Sequence, residues 1–336
     1  MNESLTVLAT KHINDILHLS LKHTSDQKAL VIYDTRYGLT NILTQGYRKA
    51  LPGACFIDFD TVNKDDIIDA FRAMKPHDLV ILIQSSNFLL DAFRIRLFLF
   101  QQKLKVIEHM HLYRNTEDVW DVYINSLAYD ATWYGHIGHA LKHILEHTEE
   151  LVIETNGTRL VVTGGLEIPK LNIGDYAGME HIGGTFPIGE VFTESKNFIH
   201  MNGSFKVYAL AGANFSINMY TPFRVDVKEG HVTSWEDGAP PSFVESVRMI
   251  KEYERPLIRE IGFGLNRAIS RERYVQDITA FERILGMHLS MGEKHSVYKK
   301  PDIQTHKAKF HIDLFPVVDR VYADGKIIFE EGTYHV

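Results

Sequence analysis

Four short, strongly apolar runs, each separated from the next by residues of helical spacing, constrain the fold of this chain more than any other feature. KALVIYD (Lys28–Asp34), CFIDFD (Cys55–Asp60), HDLVILIQ (His77–Gln84) and LKVIEH (Leu104–His109) have the length and composition of buried strands. Between them TRYGLTNILTQGYRKAL (Thr35–Leu51), DDIIDAFRAM (Asp65–Met74) and Leu89–Leu99 read as helices, the first stopped by Pro52-Gly53. Strands that alternate with helices form a parallel sheet covered on both faces, because a parallel crossover needs a helix-length connection.

The pattern changes beyond a long helical stretch, DATWYGHIGHALKHILEHTEEL (Asp130–Leu151). Asn156-Gly157, Glu229-Gly230 and Asp324-Gly325 are turn pairs between strand-type runs, and Asn-Gly is the strongest short hairpin signal. The helix expected over Pro241–Ile258, with Ser242 as a possible cap, interrupts this antiparallel region. The C-terminal hairpin about Asp324-Gly325 is expected to pin the preceding FHIDL strand in a sheet. The reading is therefore an α/β chain: a Rossmann-like parallel-sheet domain over 1–150, followed by a mixed, largely antiparallel α+β domain over 151–336. Its 336 residues suit about two domains at roughly 150 residues each.

Composition narrows the function. A net charge of −7 argues against a general nucleic-acid or anionic-membrane surface, which clustered Lys and Arg would line. The single cysteine, Cys55, removes any intrachain disulfide, thiolate zinc site or CxxC motif and suggests a reducing compartment. No signal peptide or spanning segment is visible, so a cytoplasmic location is expected. The turn after the first strand, TRYGL, carries no GxGxxG or Walker pattern, and no GxSxG elbow is present.

Ligand-type side chains remain. In FHIDL (Phe310–Leu314) alternate positions share a face of a strand, so His311 and Asp313 point to the same place. Upstream stand Glu190 in FPIGEVF, Glu260 in REIGFGLN and His288 in GMHLSMG, all residue types that hold hard or borderline divalent cations. The glycines Gly189, Gly262 and Gly264 read as turn residues needing unusual backbone angles. His136, His139, His143 and His147 fall at helical spacing but lack a carboxylate pattern such as HExxH, so they read as a polar helix face.

The motifs GTFPIGEVFT, EIGFGLN, MHLSMGEKH and FHIDL, in this order, resemble those of the aminopeptidase T-like metallopeptidases. The resemblance implies an α/β domain followed by a metal-binding domain, a homodimer, and two divalent ions (Zn, Co or Mn) that activate a water to attack a short peptide after its N-terminal residue. It implies Glu190, Glu260, His288, His311 and Asp313 as metal ligands, and a catalytic role for Glu190 or Glu260 in moving the proton. Where that family has a tyrosine, this chain has His295, a candidate catalytic residue, with Tyr298 three positions on as a possible substitute. The fold also resembles that of 2,5-dihydroxypyridine 5,6-dioxygenases. That resemblance implies one Fe(II) held by two His and one carboxylate, His311 and Asp313 with His288 or His295. A non-catalytic metal-binding relative is the third alternative.

Overall fold

A computed structural model describes residues 2–336 apart from 177, 213, 293–297 and 299–309. The chain divides into two compact units, neither continuous in sequence. One comprises Met1–Tyr134, Gly174–Ile188 and Ala268–Ala280; the other comprises Gly135–Ile173, Gly189–Arg267 and Phe281–Val336.

The first unit is built on a five-stranded parallel sheet in the order Cys55–Asp58, Ala29–Tyr33, Leu79–Ile83, Lys105–His109, Ile182–Thr185. Its central strand, LVILI, is buried at every position, as a strand covered on both faces must be. Leu30, Ile32, Val80, Leu82 and Val106 form one apolar layer with Ile67 and Phe71 of the Lys64–Arg72 helix and Leu99 and Phe100 of the Ile95–Gln101 helix. Truncating one such side chain, as in Leu82→Ala, costs about 2–5 kcal/mol. The Gly38–Ala50 helix buries Leu39, Ile42, Leu43 and Tyr47, spaced three and four apart.

Two local differences from the sequence reading have physical causes. The helix expected over Leu89–Leu99 starts only at Ile95, because Asp91 adopts a left-handed conformation in a tight Leu90–Phe93 turn. The fifth strand, Ile182–Thr185, was not foreseen: IGGT has no apolar run, and its place comes from pairing with Lys105–Glu108.

Among the described residues, the second unit carries a thirteen-stranded antiparallel sheet. The three expected turns each join adjacent strands, and in each pair both residues have positive φ: 43° and 83° at Asn156-Gly157, 50° and 75° at Glu229-Gly230, 48° and 78° at Asp324-Gly325. That is the geometry whose twist matches the flanking strands. The helix after Pro240 spans Pro241–Lys251 and stops short of Ile258. Pro241 takes the first helical position, so Ser242 is not a cap; its hydroxyl instead pairs with Tyr220 Oη at 2.8 Å. The C-terminal hairpin does not flank the HIDLFP strand. It pairs through Arg320–Ala323 with Glu150–Thr155, and the His311–Pro316 strand lies between Met201–Ala211 and Gly286–Gly292.

Candidate metal centre

Four neighbouring strands of the large sheet build the site: Glu190–Thr193, Ile258–Gly264, Gly286–Gly292 and His311–Pro316. The register pairs Glu190 with Gly264, Phe192 and His288 with Gly262, and Ser290 with both Glu260 and Asp313. Directly opposed residues share a face, and so do alternate residues along a strand. Glu190, Glu260, His288, His311 and Asp313 therefore lie on one face of the sheet.

Two glycines shape that face by leaving space. A β-carbon at position 262 would meet His288 Cε1 at 2.1 Å and Nε2 at 2.3 Å, so the imidazole lies directly over the Gly262 backbone. A β-carbon at position 264 would meet the carbonyl oxygen of Ile284 at 1.9 Å, so Gly264 lets the Arg283–Ile284 backbone cross close to the strand. Gly189 does have the positive φ of a turn, 121°, whereas Gly262 and Gly264 are extended strand residues whose role is steric.

The side chains converge. Glu190 and Glu260 are separated by four strand positions and lean toward each other over Gly262, and the imidazole fills the interval. His288 Nε2 lies 3.3 Å from Glu190 Oε1 and 3.2 Å from Glu260 Oε1. Phe315 packs beside the ring with a centroid separation of 5.8 Å, and Phe281 packs edge-on against Phe315. Asp313 Oδ1 accepts the Ser290 hydroxyl at 2.6 Å and faces His311 Nε2 at 3.1 Å. His288 is fully buried and His311 is half-exposed, so the donor set runs from the core to the surface.

Two further residues enter the site that the sequence reading did not name. Arg283 bonds Glu190 Oε2 through Nη1 and reaches Glu282 Oε1 through Nη2 at 2.9 Å. Both follow the short Ile278–Phe281 helix, where no strand periodicity marks them. Of the other candidates, His295 lies outside the described residues. Tyr298 Oη lies 3.1 Å from the Ile168 carbonyl and 3.2 Å from the Phe192 carbonyl, with its ring edge-on to Phe192. His136, His139, His143 and His147 lie on an exposed face of the Ala131–His147 helix.

Burial and charge set the protonation. Burial disfavours a charged imidazole, yet the hydrogen bond to Glu260 and the charges of Glu190 and Asp313 outweigh it, raising His288 to about 9. Burial pushes Glu190 up, with Arg283 and His288 pulling it back. Glu260 sits below its ordinary value: burial works upward, but its hydrogen bond to His288 prevails. Burial likewise opposes the charge on Asp313, and His311 and Ser290 overcome it, holding the carboxyl low. Glu282 is pushed up to about 8, chiefly by burial.

The donors fit a divalent cation. One ligand atom each from Glu190, Glu260 and His288 lie within 4.8 Å of one another, and so do one each from Glu282, His288 and Asp313. A tetrahedral ion with bonds of about 2.1 Å separates its donors by about 3.4 Å, close to the His288–carboxylate distances. His288 Nδ1 is buried with no hydrogen-bond partner among the described residues. Carboxylate oxygens and imidazole nitrogens without thiolate suit zinc, cobalt, manganese or iron.

The architecture as a whole has counterparts among solved structures. The chain matches 2,5-dihydroxypyridine dioxygenase from Pseudomonas putida with a TM-score of 0.66 at 15% identity, over 99% of this chain and 97% of that one. It matches AmpT from Thermus thermophilus with a TM-score of 0.64 at 11% identity, over 98% of this chain and 99% of that one. The chain shares their fold. The relation to the aminopeptidase group implied by the motifs, and to the dioxygenase group implied by the fold, holds at this level. No family model and no curated protein sequence matches the chain. Among the described residues, no helix is long and apolar enough to cross a membrane.

Proposed function

We propose that the chain is a metal-dependent aminopeptidase that removes N-terminal residues from short peptides at a dinuclear site. The observation that carries this reading is the surplus of donors. Glu190 and Glu260 converge on His288, while His311 and Asp313 form a second pair on the same face. A single ion bound by two imidazoles and one carboxylate would leave both buried glutamates without a role. The fold shared with AmpT supports the reading.

When bound, two divalent ions would supply Lewis acidity, lowering the pKa of a water and stabilising the oxyanion of the tetrahedral intermediate. The protein's own part is to hold donors and move a proton. Both Glu190 oxygens are engaged, Oε1 by His288 and Oε2 by Arg283, so Glu190 is a fixed ligand. Glu260 uses Oε1 toward His288, and its Oε2 has no hydrogen bond among the described residues. Glu260 Oε2 is thus the atom that accepts the proton of the attacking water and returns it to the leaving amine. The reading carries with it a cytoplasmic homodimer.

A second reading, ring-opening oxygenation of a dihydroxypyridine at one Fe(II) held by His288, His311 and Asp313, draws on a different observation. The Arg283 guanidinium already offsets the charge of Glu190, as a second cation would, and also bonds Glu282. Metal-free protein reloaded separately with Zn, Co, Mn or Fe(II) and assayed on aminoacyl anilides, dipeptides and 2,5-dihydroxypyridine with oxygen separates the two. Peptide turnover with Zn, Co or Mn supports the first; pyridine consumption with Fe(II) alone overturns it.

A further inference from the structure

Ser290 stands at the centre of the donor face, opposite Glu260 on one neighbouring strand and Asp313 on the other, and is fully buried. Its hydroxyl has one proton to give. That proton goes to Asp313 Oδ1 at 2.6 Å, a distance typical of a charge-assisted bond, while Glu260 pairs with His288 instead. His311 Nε2 faces the same Oδ1 at 3.1 Å. An imidazole nitrogen carries either a proton or a lone pair, so Nε2 cannot both donate to Oδ1 and bind an ion. The serine has no such conflict. Among the described residues it is the donor that stays on Asp313 once His311 turns to an ion.

We propose that Ser290 is a positioning residue that sets the orientation of Asp313 toward a metal ion. The inference rests on Asp313 being a ligand, which the one-ion and two-ion readings above share. The terminal torsion of an aspartate is broad and roughly two-fold, so the rotamer alone fixes its carboxylate plane poorly. A hydroxyl donor on Oδ1 ties that oxygen to the Gly286–Gly292 strand and leaves Oδ2 for the ion. Strand pairing sets Ser290 directly opposite Asp313, so the bond spans one rung of the sheet between two backbones that are themselves held. Partners that orient a ligand in this way contribute about 10–100-fold to metal affinity.

The test is calorimetric titration of metal-free protein with Mn(II), on the wild type, Ser290→Ala, Ser290→Thr and Asp313→Asn, with circular dichroism to verify folding. Asp313→Asn identifies the ion that Asp313 binds, as the one weakened or lost. In Ser290→Ala that ion is expected to bind about 10–100-fold less tightly, and any other ion as in the wild type. Ser290→Thr, which keeps the hydroxyl, is expected to restore most of the loss. If threonine does not fold, the alanine variant decides, since it adds no atom to the packed face. Unchanged affinity in Ser290→Ala, equal weakening of two ions, or a folded threonine variant as weak as the alanine would overturn the role of Ser290 and leave Asp313 a ligand. Wild-type binding by Asp313→Asn would remove Asp313 from the ligand set, and this inference with it.

Discussion

The imidazole of His288 lies over the backbone of Gly262, so near that a β-carbon there would fall 2.1 Å from Cε1. The ring is fully buried and backed by Phe315, so it can give way only by moving off its present partners. Gly262→Ala is therefore expected to tilt the ring away from Glu190 and Glu260. Metal affinity should fall about 10–100-fold, and overpacking should cost about 1–3 kcal/mol. Mn(II) titration and urea unfolding read both effects. An alanine variant with wild-type affinity would show that the ring is not the ligand.

Glu260→Gln keeps the shape of the side chain and removes its charge. Peptide turnover is expected to fall at least about 100-fold through loss of the proton acceptor, accompanied by weaker metal binding. The decisive comparison is made at saturating metal. If turnover is then restored, Glu260 is a ligand alone and the proton passes elsewhere.

Arg283→Met leaves Glu190 and Glu282 without their cation in a buried setting. Breaking such a pair costs about 3–5 kcal/mol in the metal-free protein. Added Mn(II), which binds only the folded chain, should raise the unfolding temperature of this variant more than that of the wild type. Equal shifts would mean that Arg283 and the ions do not share the same carboxylates.

Acid stability should report His109, far in sequence from the metal centre. Its Nε2 lies 2.8 Å from Tyr47 Oη and its Nδ1 3.0 Å from Tyr123 Oη, which donates to the Phe186 carbonyl at 3.2 Å. Tyr123 must then accept from Nδ1–H, and Tyr47 donates to Nε2, so the ring is neutral. Burial lowers its pKa from 6.5 to about 3. Between those values the unfolded chain binds a proton that the folded chain refuses. The contribution is thus fully present above 6.5 and is lost as pH falls, at about 1.4 kcal/mol per pH unit. His12 and His23 are lowered too, also chiefly by burial, so the informative quantity is the difference from His109→Gln. Urea unfolding between pH 7 and 4.5 should show the variant's slope shallower by close to one proton. An unchanged slope would mean that His109 is protonated in the fold.

Where the sequence succeeded and failed follows from the range of the interactions. The parallel strands were readable because a doubly covered strand such as LVILI must be apolar throughout, and three hairpins because a tight turn demands residues that tolerate positive φ. His311 and Asp313 were readable as a pair because strand periodicity is local. Glu282 and Arg283 were not, since nothing near them in sequence says that Gly264 lets their backbone cross beside Glu190. Gly262 was misread as a turn for the same reason: its neighbour is an imidazole 26 residues away in the chain, fixed by register alone.

Metal content per chain, measured by mass spectrometry on protein purified without chelators or an affinity metal column, separates a dinuclear from a mononuclear centre. Close to two zinc, cobalt or manganese ions per chain are expected. A single iron would contradict this and assign the site to oxygen chemistry at His288, His311 and Asp313.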